Sequence, residues 1–263
     1  MTTDPHEVLV PVADGGLLWA GRGGAGSPVV LLHGAGMDSR LWDAVVPGLA
    51  RHHDVIRYDA RGLGRSTPPN EPFGDVEDLR AVLDHFGVRR ASLVGLSMGG
   101  ETALDFALAH PERVAALALV GASVSGHDWP ESPELAAYSA ARRARDTAAL
   151  AELELTICAA MGRTAPGGHL VETMVAANAE RRVVSEQHCV LTTGRDAAPH
   201  LGEITAPTLV VHGRHDHREI AVISGRLATG IPGARGETIA DADHYLPLRA
   251  PERLTELLLS HLP

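Results

Sequence analysis

The chain has 263 residues, long for one domain and short for two full ones, so one core with a modest insertion is expected. A formal net charge of -10, with no basic run to offset it, argues against a nucleic-acid partner and for a small-molecule ligand. Cys158 and Cys189 are the only cysteines and form no C-x-x-C pair, which predicts two buried, inert thiols rather than a disulfide framework or a thiolate zinc site. Met1 to Glu7 is polar and acidic, and no stretch approaches the roughly 18 apolar residues of a membrane span, so a soluble cytoplasmic protein is expected.

The first element is a hairpin. Apolar positions alternate from His6 to Gly21 around Asp14-Gly15-Gly16, a turn that accepts positive φ, and this ribbon is expected at the sheet edge. Short apolar runs follow at Val29 to Leu32, Val55 to Tyr58, Ala91 to Val94, Ala115 to Val120 and Thr208 to Val211, and they read as buried parallel strands. Helical stretches lie between them at Arg40 to Ala50, Asp75 to Phe86 and Met98 to His110, the last stopped by Pro111. Alternating strand and helix predicts an open α/β sheet, mostly parallel, with helices on both faces and its functional groups at the carboxyl ends of the strands. From about Ser123 to Thr205 the strand-like runs disappear and Ala, Glu and Arg dominate. This segment reads as a helical insertion, with helices near Pro133 to Arg145, Thr147 to Ala160, Gly168 to Glu180 and Val183 to Thr193.

The strongest local signal is Gly95-Leu96-Ser97-Met98-Gly99, a G-x-S-x-G pentapeptide between the apolar run Ala91 to Val94 and the helix after it. An abrupt strand-to-helix turn holds the middle side chain in the open and demands small residues two positions to either side. Ser97 is therefore the candidate nucleophile, and the Met98 amide at the helix start is placed to hold a developing oxyanion. Without this setting the pentapeptide would read equally well as a glycine-rich turn with a bystander serine.

Three motifs in order, Leu32-His33-Gly34-Ala35-Gly36, Asp59-Ala60-Arg61-Gly62-Leu63-Gly64-Arg65-Ser66 and Gly95-Leu96-Ser97-Met98-Gly99-Gly100, make the chain resemble the α/β-hydrolase family over nearly its whole length. The resemblance implies an eight-stranded, mostly parallel sheet, with a core at residues 1–122 and 206–263 and a helical cap at 123–205 over the active site. It also implies a second oxyanion donor after the His-Gly pair, carried over here to Ala35 beside Met98. His33 is expected to serve the turn rather than to carry protons. Asp59 and Arg61 are expected to stabilise their turn by an ion pair or hydrogen bonds.

Asp216 stands where the apolar run Thr208 to Val211 gives way to a glycine-containing loop, and His244 stands after a further short strand, in Asp241-Ala242-Asp243-His244-Tyr245. A serine hydroxyl needs a base to take its proton, and the base needs a carboxylate to fix its tautomer. Ser97, Asp216, His244 is the chain order of that set in this fold. Asp241 and Asp243 are rivals to Asp216 but are expected as solvent or loop carboxylates, since neighbouring side chains on a strand point to opposite faces. A metal site in His212-Gly-Arg-His215-Asp216-His217 is disfavoured by the spacing, His212 being expected as a buried strand histidine.

Serine at the turn speaks against the epoxide and haloalkane hydrolases of the family, which attack with a carboxylate. Hydrolysis of an ester or lactone of a small molecule is the expectation, without cofactor or metal. Carbon-carbon bond hydrolysis, acyl transfer, a cofactor-free oxidative side activity or a slow-turnover ligand receptor remain open on the same scaffold. The stretch from Leu31 to Gly121 looks most like small bacterial enol-lactonases and esterases, including the run from His33 to Trp42. Trp129, Met161 and Met174 are candidates for substrate contact, with packing between helices as the alternative.

Overall fold

The computed structural model describes residues 6–190 and 195–263. Its eight strands are β1 (His6–Pro11), β2 (Leu17–Gly24), β3 (Ser27–Leu32), β4 (His53–Tyr58), β5 (Ala91–Leu96), β6 (Val114–Val120), β7 (Thr208–Gly213) and β8 (Arg235–Ile239). They form one sheet in the order β1-β2-β4-β3-β5-β6-β7-β8. The hairpin β1–β2 is antiparallel and occupies one edge, β2 meets β4 antiparallel, and every other pairing is parallel. The expected eight-stranded, mostly parallel α/β sheet is the sheet observed.

The strand residues alternate between two apolar layers, as the period of two requires. Val30 and Leu32 of β3 point to one face, with Leu93, Leu117, Leu119 and Val210, where they meet α2 (Asp75–His85), α3 (Met98–Ala109) and α7 (Arg218–Gly230). Val29 and Leu31 point to the other, with Val94, Ala118, Val120 and Val211, covered by α1 (Val46–Leu49), α8 (Leu246–Arg249) and α9 (Pro251–His261). The central strands are thus apolar on both faces, which is why they read as continuous hydrophobic runs. Truncating one of these residues, such as Leu93 to Ala, would cost about 2–5 kcal/mol.

Between β6 and β7 the chain passes through α4 (Pro133–Ala144), α5 (Thr147–Cys158) and α6 (Gly168–His188). Ser132 and Asp146 cap α4 and α5, each side chain accepting an amide three residues on. Exit and return are pinned together beside the sheet. The Ser125 hydroxyl donates to Asp105 Oδ1 at 2.6 Å and accepts the Ala197 amide at 2.7 Å, while Ser125 O accepts the Ala198 amide at 2.9 Å.

Two expectations are corrected. The helix expected over Arg40 to Ala50 is a 3-10 turn, Ser39–Trp42, followed by the short α1, because Pro47 has no amide to donate and is accommodated only in a first turn. The two helices expected from Gly168 to Thr193 are one continuous α6: Arg181 and Arg182 interrupt the apolar pattern but do not break a helix. Thr193 lies outside the described residues. Among the described residues, no helix is long and apolar enough to cross a membrane.

Candidate active site

Ser97 forms the junction of β5 and α3 and has φ 52 and ψ −118, one of two non-glycine positive-φ residues among those described. Such a conformation costs about 1–3 kcal/mol and persists only where its surroundings enforce it. Here they do. A Cβ on Gly95 would lie 2.2 Å from Gly99 O, and one on Gly99 would lie 2.5 Å from Leu32 O, so both positions must be glycine for strand and helix to close around the turn. The amides of Gly100 and Glu101 fold back onto Ser97 O at 2.9 and 3.1 Å. Met98, as the first helical residue, keeps an amide without an intrahelical acceptor, at the positive end of the helix.

Asp216 follows β7 and His244 follows β8, so neighbouring parallel strands deliver them to the same end of the sheet. His244 Nδ1 stands 3.0 Å from Asp216 Oδ1 and 3.1 Å from Oδ2, and the Asp216 side chain is wholly buried. Asp216 Oδ1 also accepts the His217 amide at 2.7 Å. Burial works against a charged imidazole, but the Asp216 carboxylate and its hydrogen bond outweigh it, helped by Glu154 and Asp243, and the His244 pKa is raised above the ordinary histidine value.

Ser97 and His244 open into one cavity of about 220 Å³, which Ala35 and Met98 also line. Its roof comes from the inserted segment: Trp129, Leu135 and Tyr138, then Glu154, Ile157 and Cys158 of α5 and Arg182 of α6. A larger hollow of about 730 Å³ lies outside α4 and touches none of Ser97, Asp216 and His244, so chemistry rather than size marks the candidate site. Trp129 is shared between the two, its ring edge-on to His127 at 5.6 Å and tilted towards His217 at 6.3 Å.

Met161 and Met174 do not line the cavity. Met174 is fully buried in the apolar layer beneath α6, and Met161 is half-buried, its amide donating to Asp243 Oδ2 at 3.1 Å. The cysteines also depart from expectation. Cys189 is exposed, its thiol 3.4 Å from Asp75 Oδ2, and Cys158 is half-buried on the cavity wall. Desolvation, with Glu154 and Asp216 nearby, pushes the Cys158 thiol well up and keeps it protonated.

Glu154 and Arg182, which the sequence did not single out, form an ion pair in the roof at 2.7 Å. Arg182 also binds Glu186 at 2.6 Å and lies over the Tyr138 ring at 5.2 Å. Burial opposes its charge, but Glu154, Tyr138 and Glu186 hold its pKa well above the usual arginine value.

The surrounding residues fix the frame. His33 uses both ring nitrogens within its turn, Nε2 accepting the Ala60 amide at 2.9 Å and Nδ1 donating to Gly34 O at 2.8 Å. Asp59 and Arg61 do not pair with each other. Asp59 accepts the Ser39 amide and the Arg65 side chain, while Arg61 is buried between Asp78 and Asp14. Asp241 is exposed, but Asp243 is no solvent carboxylate: both it and its ion-pair partner Arg249 have fully buried side chains. His212 is half-buried, with Nε2 3.4 Å from Thr238 Oγ1. Among the described residues, no three His, Cys, Asp or Glu side chains converge in a metal-binding group.

A strained serine at a strand-to-helix turn, with a buried carboxylate after β7 and a histidine after β8, is the arrangement of hydrolytic enzymes of the α/β class. Residues 27–152 match the family model described as the alpha/beta hydrolase fold. A 2-hydroxy-6-oxononadienedioate/2-hydroxy-6-oxononatrienedioate hydrolase of Paraburkholderia phymatum is 30% identical over 257 residues, covering 91% of this chain and 88% of the relative. The chain belongs to the α/β-hydrolase family and is an enzyme of that type. Solved structures agree over nearly the full length. The enol-lactonase of Burkholderia xenovorans superposes with a TM-score of 0.80 at 25% identity, covering 94% of this chain and 97% of its own. A thermophilic esterase of Thermogutta terrifontis superposes with a TM-score of 0.82 at 26% identity, covering 97% of each chain.

Proposed function

We propose that the enzyme hydrolyses a carboxylic ester or lactone of a small molecule through an acyl-enzyme on Ser97. The observation that carries this reading is the pairing of His244 Nδ1 with the buried Asp216 carboxylate, beside a cavity that His244 shares with Ser97. With Nδ1 engaged, Nε2 is the ring nitrogen that takes the Ser97 proton as the hydroxyl attacks the carbonyl. The amides of Met98 and Ala35 receive the negative charge that develops on the carbonyl oxygen. His244 then protonates the leaving alkoxide and activates water for deacylation. The inserted helices α4 to α6 act as a cap that shapes the acyl pocket.

The likeness to a dienedioate hydrolase supports one second reading, carbon-carbon bond hydrolysis by the same residues. Steady-state hydrolysis of p-nitrophenyl esters and simple lactones, with fluorophosphonate labelling, tests the first. Turnover and labelling both lost in Ser97→Ala are expected. Ester turnover that survives Ser97→Ala would refute the mechanism, and labelling of Ser97 without turnover of any ester or lactone would favour the second reading.

A further inference from the structure

The cavity roof carries one arginine and one glutamate, and they are bound to each other. Arg182 Nη1 meets Glu154 Oε2 at 2.7 Å, and its Nε is taken by Glu186, whose other oxygen is held by Arg142 at 2.8 Å. Charge is therefore balanced within this quartet: two guanidinium groups face two carboxylates, and none is left for a ligand. Arg182 is the one Lys or Arg among the described cavity residues. Its side chain and that of Glu154 are largely buried, at 17% and 11% exposure, so the pair is shielded from salt and water. Across the cavity the Asp216 carboxylate lies behind His244, and it is not offset while His244 is in the neutral form that acts as base.

An anionic substrate group entering this space would lose its hydration and meet no unpaired Lys or Arg among the described lining residues, while the Asp216 carboxylate lies behind His244. The rest of the lining combines apolar surfaces, Trp129, Leu135, Ile157, Ile220 and Met98, with the polar side chains of Ser123, Tyr138 and His217. At about 220 Å³ the space is below the range of drug-sized sites.

We propose that the site takes a small, uncharged ester or lactone and rejects substrates bearing a carboxylate, with Glu154 the specificity-determining residue because it occupies the one arginine among the described residues of the cavity lining. This inference rests on the ester-hydrolase reading and narrows it. It also separates this chain from the dienedioate hydrolase that it resembles, whose substrate name describes a dicarboxylate.

The test compares kcat/KM for 3-acetoxybenzamide and 3-acetoxybenzoate, which share a leaving-group shape and differ in charge, with wild type, Glu154→Gln, Arg182→Gln and Ser97→Ala. Wild type is expected to favour the amide-bearing ester at least tenfold. Glu154→Gln releases Arg182 Nη1, leaves the quartet with one positive charge in excess while Nε stays on Glu186, and shrinks that ratio at least tenfold. Arg182→Gln leaves Glu154 uncompensated and enlarges it. Any change that these variants make to His244 acts on both substrates and cancels in the ratio. A wild type that hydrolyses the benzoate as well as the benzamide overturns the inference, as does a folded Glu154→Gln with an unchanged ratio; if neither variant folds, the wild-type ratio decides. Failure of the underlying reading looks different: neither ester turns over, or both still do in Ser97→Ala.

Discussion

Replacing Arg249 by methionine should be among the most damaging single changes outside the site itself. Arg249 and Asp243 are fully buried, joined through Nε and Nη2 at 3.0 to 3.1 Å. The same guanidinium donates to Pro166 O at 2.6 Å and to Gly162 O at 3.1 Å. Methionine would leave a buried carboxylate without its cation, worth about 3–5 kcal/mol, and two carbonyls without a donor. At roughly 2–4 °C per kcal/mol for a chain of this size, the midpoint of thermal unfolding should fall by about 6–20 °C. Because Asp243 precedes His244, kcat should fall more than tenfold while KM changes less. Thermal and urea unfolding measure the first effect and steady-state kinetics the second. Adding Asp243→Asn to Arg249→Met should recover part of the stability, since the penalty lies chiefly in the stranded charge. A single-variant loss below about 1 kcal/mol, or a double variant no better than the single, would refute this account of the pair.

Asp216→Asn should lower kcat about 10⁴-fold by removing the group that holds the His244 tautomer. The acid limb of kcat/KM, which in wild type should lie above the ordinary histidine range, should move to lower pH in that variant, because burial is then opposed only by the smaller effects of Glu154 and Asp243; a pH-rate profile reads both. Gly99→Ala should abolish fluorophosphonate labelling, since its Cβ would lie 2.5 Å from Leu32 O and 2.7 Å from His33 O and force the serine turn apart. Stability should also fall as pH rises towards neutrality. Burial, despite the Ser125 hydrogen bond and reinforced by Glu101 and Asp196, pushes Asp105 up from 3.8 to about 7, so the folded state holds a proton that the unfolded chain releases. That contribution is full below pH 3.8 and is lost as pH rises through about 7. Asp105→Asn should flatten the melting temperature profile between about pH 4 and 7 relative to wild type, with the residual slope expected from Asp78, which is raised to about 6.

What the sequence made legible was the part governed by local chemistry. Ser97 stood out because two glycines and a serine between an apolar run and a helix have few other uses, and the steric limits at Gly95 and Gly99 are the reason for that spacing. Asp216 and His244 could be placed because parallel strands end at a common edge. Glu154 and Arg182 could not, being 28 positions apart in a chain with 23 basic and 33 acidic residues and meeting only because α5 packs on α6. Asp243 was misread as a solvent or loop carboxylate because its partner, six residues on, looked like any other surface arginine. Met174 and Cys158 show the same limit from opposite sides: helical spacing alone does not say whether a residue faces the protein core or a cavity.

The grip between the inserted helices and the histidine loop is made by main-chain groups on the inserted side. His244 N donates to Cys158 O at 3.3 Å, Asp243 accepts from Met161 N, and Arg249 donates to the carbonyls of Gly162 and Pro166. A new side chain at Cys158 or Pro166 leaves the carbonyl acceptor in place, and any residue but proline at Met161 keeps the amide donor. Sequence in this stretch can therefore drift, and the pocket roof with it, without loosening the histidine. On the proposed function, the pocket roof can change while the histidine loop is held, and a roof exchanged from another enzyme would need to match this loop in path rather than in sequence.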